Sequence, residues 1–170
     1  MRGKPIIHTI LLLATLWLLQ GCGFHLRGYD SEKSALPSHI SPVLIQGLTE
    51  FDSLRTDLAR QLNGSGVSVV KERGEANSAL RILSRRSDRR TLSTDSSGDI
   101  AEYELNEGLD FDLVDRAGAE LMKRQTVTVV RSYTNNENEV LGKQNEEEAL
   151  RKSMRRDLIR SILRRVQSQL

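Results

Sequence analysis

The chain has 170 residues, of which 38% are hydrophobic, 28% charged and 4% aromatic, a length that supports one folded domain with a short extension. Its single cysteine excludes an internal disulfide framework and a zinc site built from four cysteines, and His8, His25 and His39 stand at no metal-ligand spacing from one another. The formal charge is +2, but Arg2 and Lys4 are the only charges in residues 1–21, so the remainder balances 23 Lys and Arg against 23 Asp and Glu, which gives no support for a nucleic-acid partner.

Residues 1–21 read as a bacterial lipoprotein signal peptide. Arg2 and Lys4 precede the apolar run Ile10–Leu19, which is too short for a comfortable membrane span. Leu19-Gln20-Gly21-Cys22 then resembles a lipoprotein box, with a small residue before the only thiol. The expectation is cleavage ahead of Cys22, a diacylglyceryl thioether on its sulfur and acylation of its new amine, since stable anchoring takes more than one acyl chain. Gly23 stands where Asp retains enteric lipoproteins in the inner membrane, which points to the outer membrane. Residues 22–40, with Gly23, Gly28 and Pro37, read as a lipidated tether, and residues 41–170 as the folded domain.

That domain opens with a strand at Val43–Ile45, stopped by Gly47. A helix follows, capped by Thr49 or Asp52, with Phe51, Leu54, Leu58 and Leu62 as its apolar stripe and Asn63-Gly64 as its end. Val67–Val70 returns as a short strand, and Ala79–Leu83 starts another. From Ile100 to Val114 the period is two: Ala101, Tyr103, Leu105, Leu109, Phe111 and Leu113 share one face, broken by Glu107. Glu102, Glu104, Asn106, Asp110 and Asp112 share the other, which reads as solvated. Asp115–Gly118 is a turn, and Leu121–Tyr133 returns with Leu121, Val127, Val129 and Tyr133 on one parity. After a loop at 135–139, Asn145 and Glu148 suggest a capping box for a final helix whose stripe is Leu150, Met154, Leu158, Ile162 and Val166. The expected fold class is α+β, a two-layer sandwich with two helices packed on one face of a mostly antiparallel four-stranded sheet.

No nucleophile–base constellation emerges, so an enzyme is not expected. No cofactor is expected beyond the covalent lipid on Cys22. The basic clusters Arg85-Arg86 and Arg89-Arg90, Lys123-Arg124, Lys143, and Arg151 to Arg156 read singly as solvated charges. Together, at loop tips, they suit phosphates, because a guanidinium binds an oxyanion through two donors. Lipopolysaccharide is the abundant phosphorylated surface of a diderm envelope.

Cys22-Gly23-Phe24-His25-Leu26-Arg27-Gly28 resembles the mature start of the lipopolysaccharide-assembly lipoprotein family LptE, also called RlpB. Ala101-Glu102-Tyr103, Val130-Arg131-Ser132-Tyr133 and Leu141-Gly142-Lys143-Gln144-Asn145-Glu146 resemble later family segments, in order. The resemblance implies a two-helix, four-stranded domain that plugs the LptD β-barrel, helps it assemble and binds lipopolysaccharide, on the periplasmic side and in the barrel lumen of the outer membrane. It also implies that Lys143 matches a family lysine implicated in lipopolysaccharide binding. A second family base precedes the Ala-Glu-Tyr strand. Thr94-Asp95-Ser96-Ser97 carries none there, which leaves Arg89 or Arg90 as substitutes. A lipoprotein scaffold of another envelope assembly complex is the alternative, and an envelope hydrolase the third reading.

Overall fold

The structure, a computed structural model, describes residues 36–135 and 140–170, excluding the side chains of 140–144. The expected signal peptide, Cys22 and most of the expected tether lie outside the described residues. Leu36 and Ile40 do not: both are buried in the main core, so packing begins ahead of residue 41.

The elements are β1 (Val43–Gln46), α1 (Ser53–Gly64), β2 (Val69–Val70), β3 (Ser78–Thr94), β4 (Ile100–Asp115), β5 (Glu120–Thr134) and α2 (Val140–Gln169), with single 3₁₀ turns at Ser38–Ile40 and Arg73–Glu75. The fold class is α+β as expected, but the sheet differs. It has five strands in the order β2-β1-β3-β4-β5 and is mixed. β1 pairs in parallel with both β2 and β3, while β3–β4 and β4–β5 are antiparallel hairpins. The physical reason is connection length: α1 supplies the crossover that parallel neighbours require, whereas the five-residue span after β3 and the shorter turn after β4 permit only hairpins. Each hairpin turn is closed by its first aspartate. Asp95 accepts from the amides of Ser97 and Asp99, and Asp115 from that of Ala119.

The helices pack on one face. Leu54, Leu58 and Leu62 of α1 and Leu158, Ile159, Ile162 and Val166 of α2 join Ile45, Leu80, Phe111, Leu113, Met122 and Val127 in the principal core. Asp52 caps α1, its carboxylate accepting from the Leu54 amide at 2.8 Å. Phe51 therefore falls outside the helix. It is 98% exposed and no part of the stripe to which the spacing assigned it. On β5 a register irregularity buries Met122 and leaves Leu121 at the margin of the core.

Two further corrections concern α2 and the open face. α2 begins at Val140, so Asn145 lies inside the helix rather than at its cap, and Lys143 is a first-turn residue rather than a loop residue. The sheet face away from the helices is not uniformly polar. Leu44, Ala79 and Val114 form a small apolar cluster there, covered by Ala76 from the segment after β2.

Candidate basic and acidic site on the sheet

The arginine-rich segment is part of β3, not a pair of loop tips. β3 runs 17 residues, and a bulge at Leu83, between the Ile82 and Ser84 pairings, resets its parity. Beyond it, Arg85 pairs with Leu109 and Arg89 with Leu105 on the helix side, while Arg86 pairs with Gly108 and Arg90 with Glu104 on the open side. Neighbouring strand residues point to opposite faces. Arg89 and Arg90 therefore cannot act as a pair on one anion.

On the open face, acids of β4 lie beneath guanidinium groups from both flanking strands. Asp110 is 3% exposed although, among the described residues, no helix packs on this face. It accepts from Arg124 at 2.5 Å, from Arg86 at 3.3 Å, and from the hydroxyls of Ser84 and Thr126 at 2.7 Å each. Hydrogen bonds from Arg124 first, then Arg86, Thr126 and Ser84, hold its carboxyl far below the usual carboxylate range. Arg81 grips Asp112 through two nitrogens, at 2.7 and 2.6 Å, and Arg90 meets Glu104 at 2.7 Å. The acids expected to be solvated are thus shielded by arginine. The reason is that the methylene stems of the flanking arginines cover β4 while their heads neutralise it. A Cβ on Gly108 would stand 3.5 Å from an Arg86 nitrogen and 3.4 Å from the Thr128 hydroxyl, ordinary van der Waals contact, so the arrangement does not demand glycine there.

On the helix side the same logic clamps α2 to the sheet. Glu107, buried among leucines, accepts from Arg151 at 2.5 Å and from Ser87 at 2.7 Å. Arg151 also donates to Glu147 at 2.9 Å, and Glu147 accepts from the Tyr133 hydroxyl at 2.7 Å and from Arg89 at 2.9 Å. Arg89 in turn stacks 4.6 Å above the Tyr103 ring. Partial burial pushes Glu147 up, but hydrogen bonds from Tyr133, Arg151 and Arg89 outweigh it and hold the group below its ordinary value. Sequence reasoning missed this network. Its signal was present: an acid breaking an apolar strand face has to find a buried partner.

The expected site residues are thereby placed. Arg89 and Arg90 are both engaged in internal ion pairs, with 48% and 68% of their side chains exposed. Lys143 lies in the first turn of α2, and its side chain falls outside the described residues, as does Cys22. Among the described residues, no group of His, Cys, Asp and Glu is arranged to hold a metal ion, and no helix is long and apolar enough to cross a membrane.

Comparison with known proteins agrees in sequence and in fold. A family model described as LptE, lipopolysaccharide-assembly, matches residues 48–166. The chain is 26% identical over 161 residues to an LPS-assembly lipoprotein LptE of Pectobacterium atrosepticum, covering 94% of this chain and 84% of the relative. A Yersinia pestis protein of the same description is also 26% identical, with 94% and 75% covered. Among solved structures, lipoprotein B of Nitrosomonas europaea superposes with a TM-score of 0.69 at 28% identity, covering 86% of this chain and 92% of that one. The rare lipoprotein B of Shewanella oneidensis gives 0.65 at 28% identity, with 75% and 94% covered.

Proposed function

The chain belongs to the LptE family of lipopolysaccharide-assembly lipoproteins, and from that premise we propose that it is an outer-membrane lipoprotein that plugs the LptD β-barrel, supports its assembly and binds lipopolysaccharide. Its relatives are named as assembly lipoproteins, and the chain is not an enzyme. The observation that carries the reading is the family match across the folded domain, residues 48–166. The open sheet face supports it physically. Asp110, Asp112 and Glu104 are already paired with arginines, so the face stays hydrophilic with most of its charge internally balanced, which suits a water-lined lumen. Purification of the lipidated protein in mild detergent tests the partner: a β-barrel retained in near-equal amount is expected. Retention of a different protein set instead favours a scaffold in another envelope complex.

The anchor is testable separately. Cys22→Ser removes the only thiol in the chain, and metabolic labelling with a fatty acid is expected to give an unlabelled, uncleaved precursor. Undiminished label on the variant would remove the lipoprotein assignment.

Lys143 is the residue proposed to contact lipid A phosphates. Its position in the first turn of α2 is unfavourable for helix stability, because the positive end of the helix dipole repels a cation. Reversal to Asp relieves that repulsion, so Lys143→Asp is expected to keep or slightly raise the melting temperature, the gain in stability being about a few tenths of a kcal/mol. Lipopolysaccharide binding is expected to weaken, and the wild-type affinity to fall with added salt. Equal binding of wild type and variant at low salt would take Lys143 out of the site. Arg89 and Arg90 then become the next variants to test, separately, because they face opposite sides of the sheet.

A further inference from the structure

β5 is an outer strand: β4 pairs with one of its edges and, among the described residues, no strand takes the other. Beside it runs an open groove of about 610 Å³, with Thr128, Val129, Val130 and Arg131 along the strand side and α2 residues opposite. Four consecutive strand residues line it, and consecutive side chains point to opposite faces. The groove therefore follows the main-chain edge of β5 rather than either face. Residues 125–130, Gln-Thr-Val-Thr-Val-Val, contain neither charge nor proline, the devices that usually blunt a free edge; the one charge that reaches its main chain is the adjoining Arg131, whose guanidinium donates to the Val130 carbonyl at 3.3 Å.

The groove is also electrically one-sided. Arg131, Arg160 and Arg164 line it against Asp157 alone, a surplus of two positive charges. Asp157 is shared, accepting from Arg131 at 3.0 Å and from Arg160. Arg164 donates to the neutral Ser161 hydroxyl at 3.1 Å.

We propose that this groove docks an extended, acidic segment of a protein partner, which adds a strand to the free edge of β5 and sets a carboxylate against Arg160 and Arg164. Strand addition draws affinity from main-chain hydrogen bonds and selectivity from the side-chain walls. A second copy of this chain fits less well. Antiparallel self-pairing centred on Val127 and Thr128 would place Arg124 opposite Arg131 across the dyad, and like charges directly opposite are destabilising. The proposal is independent of lipopolysaccharide binding at Lys143.

The test uses the full chain and a synthetic peptide of alternating Thr and Val with Glu at both ends. Binding is read by fluorescence anisotropy and by amide hydrogen exchange. The peptide is expected to bind and to slow exchange in the 125–131 stretch. The double variant Arg160→Glu, Arg164→Glu is expected to weaken it by about tenfold or more, and both side chains lie at the rim, so the fold should persist. Two control peptides carry the decision: one with Lys in place of Glu, and one with Glu but N-methylated at alternate residues. Equal binding of the Lys peptide would overturn the charge complementarity. Equal binding of the N-methylated peptide would overturn strand addition. A concentration-dependent dimer that excludes the Glu peptide would identify a second copy as the occupant and overturn the proposed partner.

Discussion

Leu158→Asp is expected to destabilise the fold by about 4 kcal/mol or more and to lower the urea midpoint by roughly 2 M. Leu158 is 2% exposed and belongs to the principal core where α2 meets the sheet and α1. Removing its isobutyl group alone forfeits transfer energy and leaves a cavity, about 2–5 kcal/mol for leucine truncation. The aspartate adds a second cost. Met154 and Ile162, one turn away on the same stripe, are also buried and offer no donor. Ionised, the carboxylate is uncompensated; protonated, it still buries a polar group. Leu158→Met separates shape from polarity and is expected to stay within about 1.5 kcal/mol of wild type. A midpoint that barely moves for the aspartate variant would mean that α2 is not packed as described.

How much of this was legible in the sequence depended on whether a signal was local. The stripes Leu54-Leu58-Leu62 and Met154-Leu158-Ile162-Val166 are helical periods, and each of these residues is buried. The β4 alternation was legible too, and Leu105, Leu109, Phe111 and Leu113 are its buried face. What failed was what the chain decides at a distance. That β1 sits in parallel between β2 and β3 depends on the α1 crossover returning to the sheet, which no window of sequence records. β3 was legible only to Leu83, because the bulge there shifts the parity and the arginines beyond it look like a charged loop. Their strand character emerges only opposite the acids of β4. Phe51 shows the reverse error: it stands at a helical distance from Leu54 and Leu58, but the Asp52 cap starts the helix after it. Of the candidate site, the residue types were legible and their pairing was not. Glu107 announced a buried partner without naming Arg151, which lies 44 residues on.

Gly47→Ala is expected to cost about 3 kcal/mol or more, close to the effect of a large core truncation, although it adds a single methyl group. Two independent causes act at this position. The backbone there has φ +85°, in the left-handed region where a side chain is strained by roughly 1–2 kcal/mol. Space is the larger problem. A Cβ on Gly47 would lie 2.0 Å from the carbonyl oxygen of Ile82 and 3.0 Å from its carbonyl carbon, both backbone atoms of the neighbouring strand. Relief requires β1 and β3 to separate just where β1 ends and the β3 bulge begins. Separation there would loosen the Val43–Gln46 pairing with Ser78–Arg81 and the core residues Ile45, Leu80 and Ile82 on it. Gly64 supplies the control. It ends α1 without a positive φ, and nothing lies within 4 Å of its added Cβ. Gly64→Ala is therefore expected to be neutral or stabilising by up to about 1 kcal/mol. The measurement is thermal unfolding of both variants: a fall of roughly 10 °C for Gly47→Ala, with Gly64→Ala at or above wild type. If the two alanine variants melted together, the close approach of β1 to the Ile82 carbonyl would be wrong, and with it the parallel β1–β3 register that holds the mixed sheet together.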